Sequence, residues 1–123
     1  EGMVRDLAKK TGGPIRFAAW EGVYAVPDWA DVLVNATSIG LYPDVDAMPA
    51  VDLGAADEGC LVCDAVFNPP ETALLRAARR RGLPVLDGLS MLVYQGVTGF
   101  QLWTGKDPDE RVMRQALLDA FAV

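Results

Sequence analysis

The spacing of apolar residues changes along the chain, and each change marks an element. The run "DVLVNA" at 31–36 is almost continuously apolar, as strands buried in a parallel sheet are. "PIRFAAW" at 14–20 and "CLVCDAVF" at 60–67 are similarly β-rich, and "PVLD" at 84–87 reads as a shorter strand. Elsewhere the spacing becomes helical. An opening helix ends at Gly12, a second runs from Glu71 to Arg81 with Gly82 as its stop, and a third runs from about Leu89 to Thr104. The last helix has the most explicit start, with Asp107 as N-cap, Pro108 as first helical residue and Glu110 as capping-box partner. Its Val112, Met113, Ala116, Leu117, Ala120 and Phe121 recur at helical spacing and predict one buried face. Residues 21–30, with Pro27, read as a loop or short turn; 37–58, with Gly40, Pro43, Pro49 and Gly54, read mostly as loop. Strands alternating with helices imply an α/β fold with right-handed crossovers.

Composition narrows the chemistry. At 123 residues the chain is one modest domain or part of a larger one, and its 51% hydrophobic content suits a packed core. It opens with "EGMVRDLAKKTGG", without an initiator Met and already in a helical pattern, which predicts the C-terminal portion of a longer protein. The net charge of -6 argues against nucleic-acid binding, and "RAARRRG" at 76–82 reads as a solvated helix end where cations favour the dipole. Apolar runs stay below the ~18 residues a membrane span needs, and no signal-peptide pattern is present, so the expected address is cytoplasmic. The chain has no histidine, which removes Ser-His-Asp and Cys-His catalysis and nearly all zinc sites. Cys60 and Cys63 lie three apart on a strand and so face opposite ways, which predicts two buried, reduced thiols.

Doubly wound sheets bind ligands at the carboxyl ends of their strands. The second strand exits into "NATSIG" (35–40), the third at "FNPP" (67–70) and the fourth at "DG" (87–88). Short polar residues at any one exit could serve only as turn formers. Three such exits on one sheet edge suggest a site. The helix after the fourth exit carries Gln95, on a face shared with Met91, Gly99 and Leu102. A buried amide without partners costs on the order of 1–3 kcal/mol, so a partner is expected, either nearby backbone or a hydroxylated ligand. Gly96 and Gly99 allow close backbone approach, as small-residue helix packing also would.

"NATSIGLYP", "DAVFNPPETALL", "DGLSMLVYQG" and "FQLWTG" occur in the order and approximate spacing of the shikimate dehydrogenase family, which includes the quinate/shikimate dehydrogenases. The chain resembles that family from about Phe17 to its C-terminus. The resemblance implies the C-terminal part of a Rossmann-type doubly wound parallel α/β sheet, lacking the first β-α-β unit, with the N-terminal substrate domain absent from the chain. It implies NADP as cofactor, with NAD used by some members, and shikimate or 3-dehydroshikimate as substrate. The proton-handling Lys and Asp of the family lie in the missing N-terminal part, so no catalytic residue is expected here. By motif, Gln95 resembles the glutamine that hydrogen-bonds substrate hydroxyls, and Phe67 falls at the other substrate position. Asn35, Ala36, Thr37 and Ser38 resemble the loop beside the cofactor. Ala65 and Gly88 fall where backbone meets the nicotinamide end, and Met91 packs nearby.

Two departures qualify this. Phe67 stands where many members have a Tyr whose hydroxyl touches substrate, and the glycine-rich phosphate loop is missing. In the strand order 3-2-1-4-5-6, "IRFAAW" as strand 3 has lost its neighbours, so residues 14–20 are expected to pair poorly with the rest. The alternatives are an NAD-dependent quinate/shikimate dehydrogenase, a dehydrogenase for another small alcohol on this scaffold, or a non-catalytic nucleotide-binding remnant. Members of the family occur as monomers and homodimers, and both states stay open.

Overall fold

The structure, a computed structural model, describes residues 2–121. In chain order the elements are α1 (Gly2–Thr11), β1 (Tyr24–Ala25), β2 (Val32–Asn35), β3 (Val51–Asp52), β4 (Leu61–Asp64), α2 (Ala73–Arg80), β5 (Val85–Leu86), α3 (Gly88–Thr104) and α4 (Glu110–Phe121). β2, β4 and β5 form a parallel sheet in that order, with Asn35 opposite Asp64 and Cys63 opposite Leu86. This matches strands 4, 5 and 6 of a Rossmann sheet. β1 and β3 make a separate two-residue parallel pair within segments whose glycines and prolines indicate loop.

One core holds these elements. α2 sends Leu74, Leu75 and Ala78 down onto Val62 of β4, all four nearly inaccessible to water. Burying each leucine stabilises by roughly 1.5–3 kcal/mol. Val26, Val51, Leu53, Ala56, Cys60 and Leu83 complete the cluster. Thr72 caps α2 by accepting the Leu75 N–H at 3.3 Å, and Gly82 follows the helix at φ 76°. The arginines at its C-terminus are exposed; Arg79 pairs with Glu71 at 3.0 Å and Arg81 donates to the Ala56 carbonyl at 3.3 Å.

The structure corrects several expectations. Residues 14–20 form no strand and are exposed throughout; Ile15 bonds only its neighbour Gly13, and Trp20 alone reaches further, its indole N–H shared between the carbonyls of Gly22 and Ala50. A β-rich run becomes a strand only beside a partner, and the poor pairing expected of this segment is what is observed. α4 begins at Glu110, because Asp109 rather than Asp107 accepts the Arg111 N–H, at 2.9 Å. Asp107 instead takes the Gln101 side-chain amide at 2.8 Å. The apolar face of α4 is only half covered: Met113, Leu117 and Phe121 are partly buried, whereas Val112, Ala116 and Ala120 are exposed. Its main neighbour is α3, and one helix cannot cover a whole stripe.

α3 itself is apolar around most of its circumference, yet only Gly88, Leu89 and Val93 are buried, and Trp103 is 86% exposed. Cys60 is buried and Cys63 only half-buried; both are free thiols, and burial, with the Cys60 sulfur adding, raises the pKa of Cys63. No helix among the described residues is long and apolar enough to cross a membrane.

Candidate active site

Because β2, β4 and β5 are parallel, their carboxyl ends open on one edge. β2 ends at Asn35, a buried amide with every polar atom in use. Its Nδ2 donates to Asp64 Oδ1 at 3.0 Å and to the Ile39 carbonyl at 3.2 Å. Its Oδ1 accepts the Thr37 N–H at 3.1 Å and the Thr37 hydroxyl at 2.7 Å. The Asn35 side chain therefore shapes the loop from within, while Ala36, Thr37 and Ser38 form its exposed outer surface.

The exits are stitched together by backbone. Ala65 donates its N–H to the Asn35 carbonyl at 2.9 Å, and Tyr42 donates to the Asn68 carbonyl at 2.9 Å. At the third exit Gly88, fully buried, starts α3 directly against the β4 exit. A Cβ on it would overlap the Val66 carbonyl oxygen and lie 2.7 Å from that of Ala65. Glycine is required there by close approach rather than by backbone angle. Asp87 caps α3 by accepting the Ser90 N–H and hydroxyl, each at 3.0 Å. Arg114 of α4 clasps this cap, bonding Asp87 Oδ2 at 2.8 Å and the Ser90 hydroxyl at 3.1 Å. Burial pushes the Asp87 carboxyl up, but the Arg114 and Ser90 hydrogen bonds outweigh it and hold it below the usual carboxylate range.

Met91, 56% exposed, presents an apolar surface one turn into α3. Phe67 is half-buried at the β4 exit, its ring 6.0 Å from that of Phe121. Gln95 is exposed, which corrects the buried amide expected from its apolar surroundings in sequence. It borders a groove of about 550 Å³ between α3 and α4, walled by Leu92, Gly96, Trp103, Met113 and Leu117. A Cβ at Gly96 would meet Met113 only at 3.9 Å, so neither close approach nor tight packing explains that glycine. A second cavity of about 370 Å³ flanks β2 and borders the β2 exit itself, with Asn35 and Thr37 in its wall beside Trp20, Val34, Ile39 and Leu74.

A helix N-terminus opens at the crevice, an apolar methionine stands beside it, and the exposed 36–38 loop runs along one side. Asp64 and Thr72, both buried, and the Arg114 clasp were not singled out from sequence. An aspartate closing the apolar run "CLVCD" was the available signal, since aspartate is seldom buried unless paired.

Residues 88–118 match the family described as the Shikimate 5'-dehydrogenase C-terminal domain. A curated shikimate dehydrogenase (NADP(+)) of Methanocaldococcus jannaschii is 38% identical over 117 residues, covering 95% of this chain and 40% of that protein. The chain carries the C-terminal fold of the shikimate dehydrogenase family. It superposes with a TM-score of 0.82 on a shikimate dehydrogenase solved in complex with NADP+, at 34% identity over 98% of this chain and 42% of that one. A 5-ketofructose reductase of Gluconobacter sp. strain CHM43 is similar too, with a TM-score of 0.75, 44% identity, and coverage of 84% of this chain and 37% of that one. The chain thus spans about two fifths of the length of the family members it matches.

Proposed function

We propose that these residues form the nicotinamide side of an NADP-dependent oxidoreductase that interconverts 3-dehydroshikimate and shikimate. The observation that carries this is the convergence of loop 35–38, the Ala65–Phe67 exit and the first turn of α3 on one sheet edge. In this reading Ala36, Thr37 and Ser38 flank the cofactor, with Asn35 shaping their loop. The Ala65 and Gly88 backbones and Met91 hold the nicotinamide, which supplies or accepts the hydride. Gln95 and Phe67 face the substrate, and an exposed amide is free to take its hydroxyl groups. The substrate domain, with the proton-handling groups, is supplied by the N-terminal part of the same cytoplasmic enzyme, a monomer or homodimer. The exposed apolar surface of α3 and the α3–α4 groove suit such a covering part.

A second reading is favoured by Phe67. Without a phenolic hydroxyl, this position can pack but cannot donate a hydrogen bond, and the similar 5-ketofructose reductase shows that the fold is not confined to shikimate. The test is NADP+ or NAD+ reduction by the full-length protein with shikimate and quinate, and NADPH oxidation with ketohexoses. Turnover of shikimate with NADP+ supports the first reading; turnover of a ketohexose alone replaces it with the second.

A further inference from the structure

Asp64 is 3% exposed and, among the described residues, carries its carboxylate without a cationic partner. Three donors satisfy it instead. Oδ1 accepts the Asn35 side-chain amide at 3.0 Å and the Val66 N–H at 2.9 Å; Oδ2 accepts the Thr72 hydroxyl at 2.7 Å. Each donor belongs to a different part of the crevice. Asn35 shapes loop 35–39, Val66 presents the carbonyl against which Gly88 is pressed, and Thr72 caps α2. A carboxylate is an acceptor at every lone pair, so it alone among side chains of this size receives all three without turning a donor toward a donor. Hydrogen bonds to an ionised acceptor are also shorter and stronger than neutral ones, which suits a part that must hold its neighbours in register.

Resting on the nucleotide-site reading above, we propose that Asp64 is a positioning residue, its single buried carboxylate setting the cofactor loop and the Gly88 contact relative to each other. It touches no ligand. Two of its bonds act on the surfaces assigned to the nicotinamide, and the third anchors the carboxylate to α2. An asparagine could keep the bond count, because its NH₂ can donate to the Thr72 hydroxyl, which then accepts. Asp64→Asn is therefore expected to fold while holding the loop less firmly.

The experiment uses the full-length protein and measures NADPH affinity by nucleotide fluorescence, KM and kcat with shikimate, and thermal midpoints. Asp64→Asn should weaken NADPH binding and raise its KM about tenfold while the shikimate KM moves less than twofold. Thr72→Ser should behave as wild type, and Thr72→Val should follow Asp64→Asn in the NADPH KM. A lowered thermal midpoint with NADPH affinity and KM unchanged in Asp64→Asn would show a structural role only and overturn the proposal. If wild type binds NADPH but does not turn over shikimate, the substrate reading fails while nucleotide affinity still decides the role of Asp64. A wild type that binds neither NADPH nor NADH overturns both.

Discussion

Gly88 and Ala65 are packed so closely that a Cβ on the glycine would lie 2.7 Å from the alanine carbonyl oxygen. Gly88→Ala must then push the start of α3 away from the β4 exit. Overpacking of this kind costs roughly 1–3 kcal/mol, because neither partner is a flexible side-chain tip. The whole protein should show a lowered denaturant midpoint together with weaker NADPH binding. Gly96→Ala serves as the control: its Cβ meets only a methionine tip at 3.9 Å, and inside α3 the change should keep or raise stability, by up to about 1 kcal/mol.

The Asp87–Arg114 clasp should leave a signature in acid. The folded carboxyl titrates below its unfolded value of about 3.9. Its stabilisation is therefore complete above that value and disappears as pH falls through the lowered folded value. Asp87→Asn should reduce stability at neutral pH and flatten the acid limb of a stability–pH curve. Arg114→Met should do the same, losing about 1 kcal/mol or less, because the pair is partly exposed. Urea midpoints at a series of pH values between neutrality and acid would read this directly.

Gln95 separates activity from stability. It is exposed, and no hydrogen bond to it is seen among the described residues, so Gln95→Leu should change the thermal midpoint little. With shikimate it should raise KM or lower kcat by tenfold or more, the loss expected when a hydroxylated substrate's partner is removed. A destabilised variant with wild-type kinetics would instead make the amide structural.

Phe67→Tyr restores a hydroxyl at the β4 exit. In the shikimate reading it should lower the KM for shikimate several-fold without affecting NADPH affinity. Were a ketohexose the substrate, the same change should not improve its turnover. Steady-state kinetics on both substrates distinguish the two.

Much of this was legible in sequence, and the failures have physical causes. β2, β4, β5 and the intervening helices announced themselves, because continuous apolar runs and clean stop signals are local properties, although β2 keeps Val32 and Val34 exposed where the run predicted burial. The segment 14–20 misled because its side chains suit a strand, whereas strands are made by neighbours. The sequence favoured Asp107 as the cap of α4, but the side chain of Gln101, six residues earlier, engages Asp107 and leaves the capping to Asp109. Gln95 looked buried because its neighbours in sequence are mostly apolar, but α3 is only partly covered by the described residues. Asp64 was missed because its three donors come from positions 35, 66 and 72, and only the fold brings them together.

β2 is hydrogen-bonded to β4 on one side, and its other side meets no strand among the described residues. On one face of this edge strand Val32 and Val34 stand more than half exposed. A row of unsatisfied peptide groups bordered by valine is a template for strands from other molecules. Expressed by itself, the chain should therefore self-associate through this edge and come out of solution with rising concentration. Val34→Lys should delay that loss, at no cost to the buried core.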